Sequence, residues 1–214
     1  HNKNPFHTCI FPGDNIEHTF VTTKIIKEFI KQKYGDDDFG KTVDGTICET
    51  GIELEDNGGD GSKGKHPEMR VYPYEIMAYN HDKGKIHAIS DLTLMLLNSS
   101  LFYEVNFDIA ESYHFGYPET NFGKPINKFV VGSPAKVWPK QYQCRPADYG
   151  LQETSIRFSV CNPDMRGVSS CDRFQYYCNS NRDICANKEF IDPENTGYSG
   201  TNQDYNYIAF PLPK

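Results

Sequence analysis

The chain has 214 residues, a net charge of −7 at neutral pH and a pI near 5.5. That length can bury a real core, in one large domain or two small ones. The acidic balance disfavours non-specific binding to nucleic acid or anionic lipid, which needs clustered Lys and Arg, and no apolar run reaches the ~18 residues of a membrane helix. Aromatic residues make up 14% of the chain, with 14 Tyr and 14 Phe against a single Trp. Together with the scarcity of Ala and Leu, this leans towards β-structure.

The sequence opens on the polar His1-Asn2-Lys3 with no signal-peptide pattern, which reads as a mature or trimmed terminus. Val21, Ile25, Ile26, Phe29, Ile30 and Tyr34 then form one apolar stripe, predicting a helix over 21–34. Thr22 or Thr23 can cap its start and Gly35 can stop it. Asp36-Asp37-Asp38 follows as a solvated turn. Residues 41–56 read as a hairpin around Asp44-Gly45, with Ile52 and Leu54 alternating with polar residues. The glycines of 57–68 are irregularly spaced and precede no helix, so they predict a mobile surface loop and not a phosphate cradle.

Residues 71–92 give two strands about a turn at 80–84. Residues 93–109 continue as a buried strand, a turn at Asn98-Ser99-Ser100 and another strand, and 127–139 as a further strand pair. Beyond Pro139 the apolar runs shorten while Asn, Asp and Cys accumulate. The expected architecture is α+β: one N-terminal helix packed on a twisted antiparallel sheet over residues 1–138, followed by a β-rich, disulfide-stapled region over 139–214.

The seven cysteines are Cys9, Cys48, Cys144, Cys161, Cys171, Cys178 and Cys185. No C-x-x-C pair and no histidine at finger spacing accompanies them, so disulfides are expected rather than zinc, with one thiol left over. At least two bridges are expected between Cys144 and Cys185. Asn98 heads a glycosylation sequon. Both features indicate a secreted protein.

The triplet Phe6-x-Cys within Phe6-His7-Thr8-Cys9, the helix from about Val21 to Tyr34 and the segment 74–89 resemble the ribonuclease-like secreted effectors of plant-pathogenic fungi. The likeness covers about the first 110 residues. It implies the fold of small guanyl ribonucleases, whose chemistry needs a carboxylate base, a histidine acid and a cation beside the phosphorane. His66, Arg70, Glu75 and His87 would supply them, Glu75 and His87 facing one side of adjacent strands. The tighter motifs of that family are missing around these residues, which implies a scaffold without activity.

No Gly-x-Ser-x-Gly elbow is present for a serine hydrolase. Asp36–Asp38, or Asp56 with Asp60, lack the alternation of a calcium loop and are explained as charged turns. Phe174, Tyr176, Tyr177, Tyr198, Tyr205 and Tyr207 lie among small polar residues, a composition suited to protein or carbohydrate recognition as well as to core packing. The sequence therefore predicts a secreted, non-catalytic binding protein that recognises a host or other extracellular protein. No cofactor and no metal are expected. An extracellular ribonuclease and a carbohydrate-binding module are the alternatives.

Overall fold

The computed structural model describes residues 4–10, 17–35, 38–41, 45, 47–56, 60–78, 87–111, 113–130, 137–152, 157–162, 167–172, 174–175, 198–199 and 212–213. Strand β1 (Phe6–Ile10) pairs antiparallel with β2 (Glu17–Val21). Helix α1 (Lys24–Tyr34) follows at once. It starts later than the apolar stripe suggested because Val21 belongs to β2, and because Thr23 is the cap, its hydroxyl accepting from the Ile26 N–H at 3.4 Å. Gly35 ends the helix at φ 76°, its N–H donating to the Lys31 carbonyl at 2.9 Å. Ile26, Phe29, Ile30 and Tyr34 are buried, whereas Ile25 lies off the stripe and is exposed. Each buried aliphatic side chain of this row contributes roughly 1.5–3 kcal/mol.

The predicted hairpin over 41–56 is rearranged. Strands β3 (Asp38–Lys41) and β4 (Ile47–Glu49) pair with each other, while β5 (Ile52–Leu54) pairs antiparallel with β2, giving the order β1-β2-β5. The open edge of β5 is covered by residues 66–68: Leu54 bridges Pro67, the Glu55 N–H donates to the His66 carbonyl at 2.8 Å, and the Glu68 N–H donates to the Glu53 carbonyl at 2.9 Å. Residues 60–65 form a turn that is exposed except at the buried Ser62, on the surface as expected.

Residues 71–78 form consecutive turns, not a strand, and Glu75 meets Ala88 in a single parallel bridge. The predicted turn at 80–84 lies outside the described residues. The expected buried strand after it is instead helix α2 (Asp91–Ser99), capped by Ser90, whose hydroxyl accepts from the Leu92 N–H at 3.0 Å. Leu and Met are strong helix formers, and the serine cap starts a helix that an apolar run alone does not distinguish from a strand. A short 3₁₀ turn at Phe107–Ile109 and turns over 127–130 stand where further strands were expected, and another 3₁₀ turn lies at Pro118–Asn121.

An aromatic core joins these pieces. Phe115 stacks on Tyr142 with ring centroids 4.6 Å apart, and Phe129 stacks on both Trp138 and Tyr34 at 5.3 Å. The Trp138 indole N–H donates to the Phe129 carbonyl at 3.0 Å, so its polar edge is satisfied inside the core. Strands β6 (Arg157–Cys161), β7 (Val168–Asp172) and β10 (Leu212–Pro213) make a second antiparallel sheet in the order β10-β7-β6. The short strands β8 (Phe174–Gln175) and β9 (Tyr198–Ser199) pair separately.

Disulfides join Cys9 to Cys48 and Cys144 to Cys171. The second lies in the region where two bridges were expected. Cys161 is unpaired among the described residues, and Cys178 and Cys185 lie outside them. No helix among the described residues is long and apolar enough to cross a membrane.

Candidate functional site

Two adjoining features of the β5 edge concentrate the titratable groups. The first follows from the period of the strand. In Ile52-Glu53-Leu54-Glu55 the apolar residues take one face and the acids the other. Register pairs Phe20 with Glu53, which places His18 beside both acids. That second face does not meet water. The 66–70 segment closes over it, and His18, Glu53, Glu55, Asp56, Glu68 and Arg70 are all buried.

Inside this pocket the Arg70 Nη2 donates to Glu53 at 2.6 Å and its Nη1 to the Val130 carbonyl at 2.9 Å. His18 Nδ1 lies 2.7 Å from Glu53 and 3.2 Å from Asp56. Glu68 accepts from the backbone N–H groups of Arg70 at 3.1 Å and Asp56 at 3.3 Å. Burial, followed by the nearby charges of Asp56, Glu55 and Glu53, pushes the Glu68 carboxyl well above the usual carboxylate range, against the opposing pull of Arg70. Burial works to lower the Arg70 value, but Glu53, Glu68 and Asp56 outweigh it, and the guanidinium stays charged.

The second feature is His66, on the outer side of the same segment and only partly buried. Its Nδ1 lies 3.1 Å from the Met77 carbonyl. A carbonyl can only accept, so Nδ1 carries the hydrogen, and in the neutral ring the lone pair is at Nε2.

The residues expected to form a ribonuclease centre are thus placed differently. Arg70 is sealed against Glu53. Glu75 is buried and accepts from the Thr93 hydroxyl at 2.8 Å and the Ser90 N–H at 3.2 Å, at the start of α2. His87, partly buried, lies beside the Glu75–Ala88 bridge, and His66 lies 11 residues before Met77, in hydrogen-bond contact with its carbonyl. A phosphoryl-transfer base must reach its substrate, and neither Glu75 nor Arg70 presents its side chain to solvent. Of the proposed recognition aromatics, Phe174 lies in β8 and Tyr198 in β9, while Tyr176, Tyr177, Tyr205 and Tyr207 lie outside the described residues. Asn98 falls in the last turn of α2.

Sequence reasoning missed the acid cluster. Glu53 and Glu55 alternate with Ile52 and Leu54 as a half-exposed strand does, and only the covering segment shows that both faces are buried.

Comparison with known proteins identifies the chain's relatives. The model of the leishmanolysin peptidase family matches residues 40–204, well over half of the chain. A leishmanolysin-like peptidase of Caenorhabditis elegans is 32% identical over 99 residues, which is 46% of this chain and 13% of that protein. One of Caenorhabditis briggsae is 38% identical over 66 residues, 31% of this chain and 10% of that protein. The chain therefore spans about a tenth of the length of these curated relatives. These findings overturn the resemblance to ribonuclease-like fungal effectors. With it fall the readings as a non-catalytic, host-directed virulence or protein-binding factor, as a guanyl ribonuclease and as a carbohydrate-binding module. The pieces that carried the resemblance, an aromatic-x-Cys triplet, one helix and a supposed hairpin, are each common, and the hairpin is not formed as expected.

Proposed function

Because the chain belongs to the leishmanolysin family, we propose that it is part of an extracellular or surface-held metallopeptidase. The observation that carries this reading is the family match across residues 40–204. The disulfides Cys9–Cys48 and Cys144–Cys171 support an oxidising, extracytoplasmic compartment.

Zinc peptidases hold their metal with H-E-x-x-H and a third ligand, and a catalytic zinc keeps one coordination position open. The 214 residues contain no H-E-x-x-H. Among the described residues, the two groups with metal-binding spacing, His18–Glu53–Asp56 and Glu55–Asp56–Glu68, are buried. This chain alone does not supply a complete catalytic zinc set. His66 fits as one member of such a set: it is partly exposed, and its Nδ1–H donates to a backbone carbonyl, the kind of contact that orients a ligating histidine. A zinc ion completed by residues beyond this chain would supply a water acidified for attack on a peptide carbonyl. This chain's part is to hold and orient the imidazole.

The test uses the whole protein. Peptide hydrolysis should be abolished by a chelator and restored by zinc. His66→Ala should lower kcat/KM by about 10²-fold or more and reduce bound zinc, with the melting temperature little changed. Hydrolysis indifferent to chelation would overturn the metallopeptidase reading, and full activity in His66→Ala would remove that histidine from the site.

A further inference from the structure

Four carboxylates, Glu53, Glu55, Asp56 and Glu68, share the buried pocket under residues 66–70 with two basic side chains, Arg70 and His18. Arg70 pairs with Glu53 at 2.6 Å. His18 Nδ1 can carry one hydrogen, and Glu53 is its nearer acceptor, at 2.7 Å against 3.2 Å for Asp56. Asp56 is left short of partners. Its side chain is 1% exposed, and neither carboxylate oxygen accepts a hydrogen bond among the described residues. A buried carboxylate in that state demands a counter-charge.

The geometry to receive one is present. Ligand oxygens of Glu55, Asp56 and Glu68 all lie within 4.8 Å of one another, the span of oxygens set at roughly 2.3–2.6 Å around a single calcium ion. We propose that these three residues form a calcium site that pins the 60–68 turn to the edge of β5. The ligand set is oxygen only, which selects a hard cation over zinc, since the adjacent ring nitrogen of His18 already faces Glu53. Magnesium retains its waters and demands near-octahedral order, whereas calcium accepts an irregular, carboxylate-rich cage. The donors are preset: the N–H groups of Asp56 and Arg70 orient Glu68, and Glu55 is fixed by its backbone bonds to His66 and Gly64. The site differs from the His66 centre and does not depend on it.

Whole protein stripped of metal would be titrated with calcium chloride by calorimetry and thermal melting at neutral pH, with magnesium chloride in parallel. We expect a calcium site that raises the melting temperature saturably and that magnesium does not fill at the same concentration. Asp56→Asn should weaken that site at least tenfold, while His66→Ala should leave its calcium affinity unchanged. Should Asp56→Asn fail to fold, the wild-type titration alone decides. Absence of a calcium-dependent shift, or an Asp56→Asn protein that titrates like wild type, overturns the site. So does stabilisation by acid with none by calcium, which would mean that shared protons hold the cluster together.

Discussion

Arg70 and Glu53 meet at 2.6 Å, with 1% and 0% of their side chains exposed. Removing one partner of a buried ion pair strands the other charge, which typically costs about 3–5 kcal/mol. Arg70→Met should therefore destabilise the protein by about that amount in urea unfolding. Adding Glu53→Met should recover part of the loss, because the stranded carboxylate goes with it. Additive losses in the double variant would show that the two side chains do not act as a pair.

Glu75 predicts a pH dependence. Burial raises its carboxyl, and the hydrogen bonds from Thr93 and Ser90 only partly oppose this. The position at the start of α2 also favours the anion, yet desolvation outweighs it. The folded state thus holds the proton more tightly than the unfolded chain. The resulting stability is present in full below the ordinary value of 4.5 and is lost as the pH rises through the raised value. Glu75→Gln imitates the protonated acid at every pH. Its cost in denaturant should be larger at about pH 4 than at about pH 8. A cost that grows with pH would mean that the carboxylate is better accommodated than the acid.

The elements that could be read from the sequence are those whose determinants are local. Helix α1 is one: Ile26, Phe29, Ile30 and Tyr34 share a face, and Thr23 and Gly35 bracket it. Helix α2 was not legible, because nine residues rich in Leu and Met satisfy a buried strand equally well. Glu75, which ties itself to its first turn, comes from 15 and 18 residues away. The acid cluster depends on contacts between residues 35 and 17 apart, His18 with Glu53 and Glu53 with Arg70. No periodicity carries such pairings. The family was hidden for a different reason: the signature that would announce a zinc peptidase, H-E-x-x-H, does not occur in these residues.

The core face of α1 should be costly to truncate. Ile26→Ala should lose about 2–5 kcal/mol and Phe29→Ala about 3–5 kcal/mol, since Ile26 is fully buried and Phe29 nearly so. Ile25→Ala, on the exposed side, is the control and should change stability by no more than about 0.5 kcal/mol. Core variants that melt with the wild type would show that the helix contributes nothing to the core.

Cys9 and Cys48 are 39 residues apart. Closing a loop of that length lowers the entropy of the unfolded chain by an amount worth about 4 kcal/mol. The double variant Cys9→Ala/Cys48→Ala should show a loss of that order. Reducing agent should destabilise the wild type, while the double variant keeps only the response of its remaining bridges. Equal melting of reduced and oxidised protein would refute a structural role for both bridges.

Gly116 joins a backbone constraint to a packing one. Its φ is +82°, and a Cβ there would stand 2.4 Å from Cε1 of Phe129. That ring cannot easily retreat, because it stacks on Trp138 and Tyr34 at 5.3 Å on either partner. The Gly116 N–H also donates to the Tyr142 hydroxyl at 3.1 Å, which fixes the backbone from the other side. Left-handed strain costs a residue with a Cβ about 1–2 kcal/mol, and overpacking the core adds about 1–3 kcal/mol. Gly123 separates the two effects: its φ is +76°, but nothing lies within 4 Å of its Cβ position. Gly123→Ala should therefore show the strain alone, and Gly116→Ala the strain plus the collision. Both are read from the shift of the denaturation midpoint at unchanged slope. Equal losses in the two variants would mean that Phe129 yields without cost, and that the aromatic core is looser than its stacking distances imply.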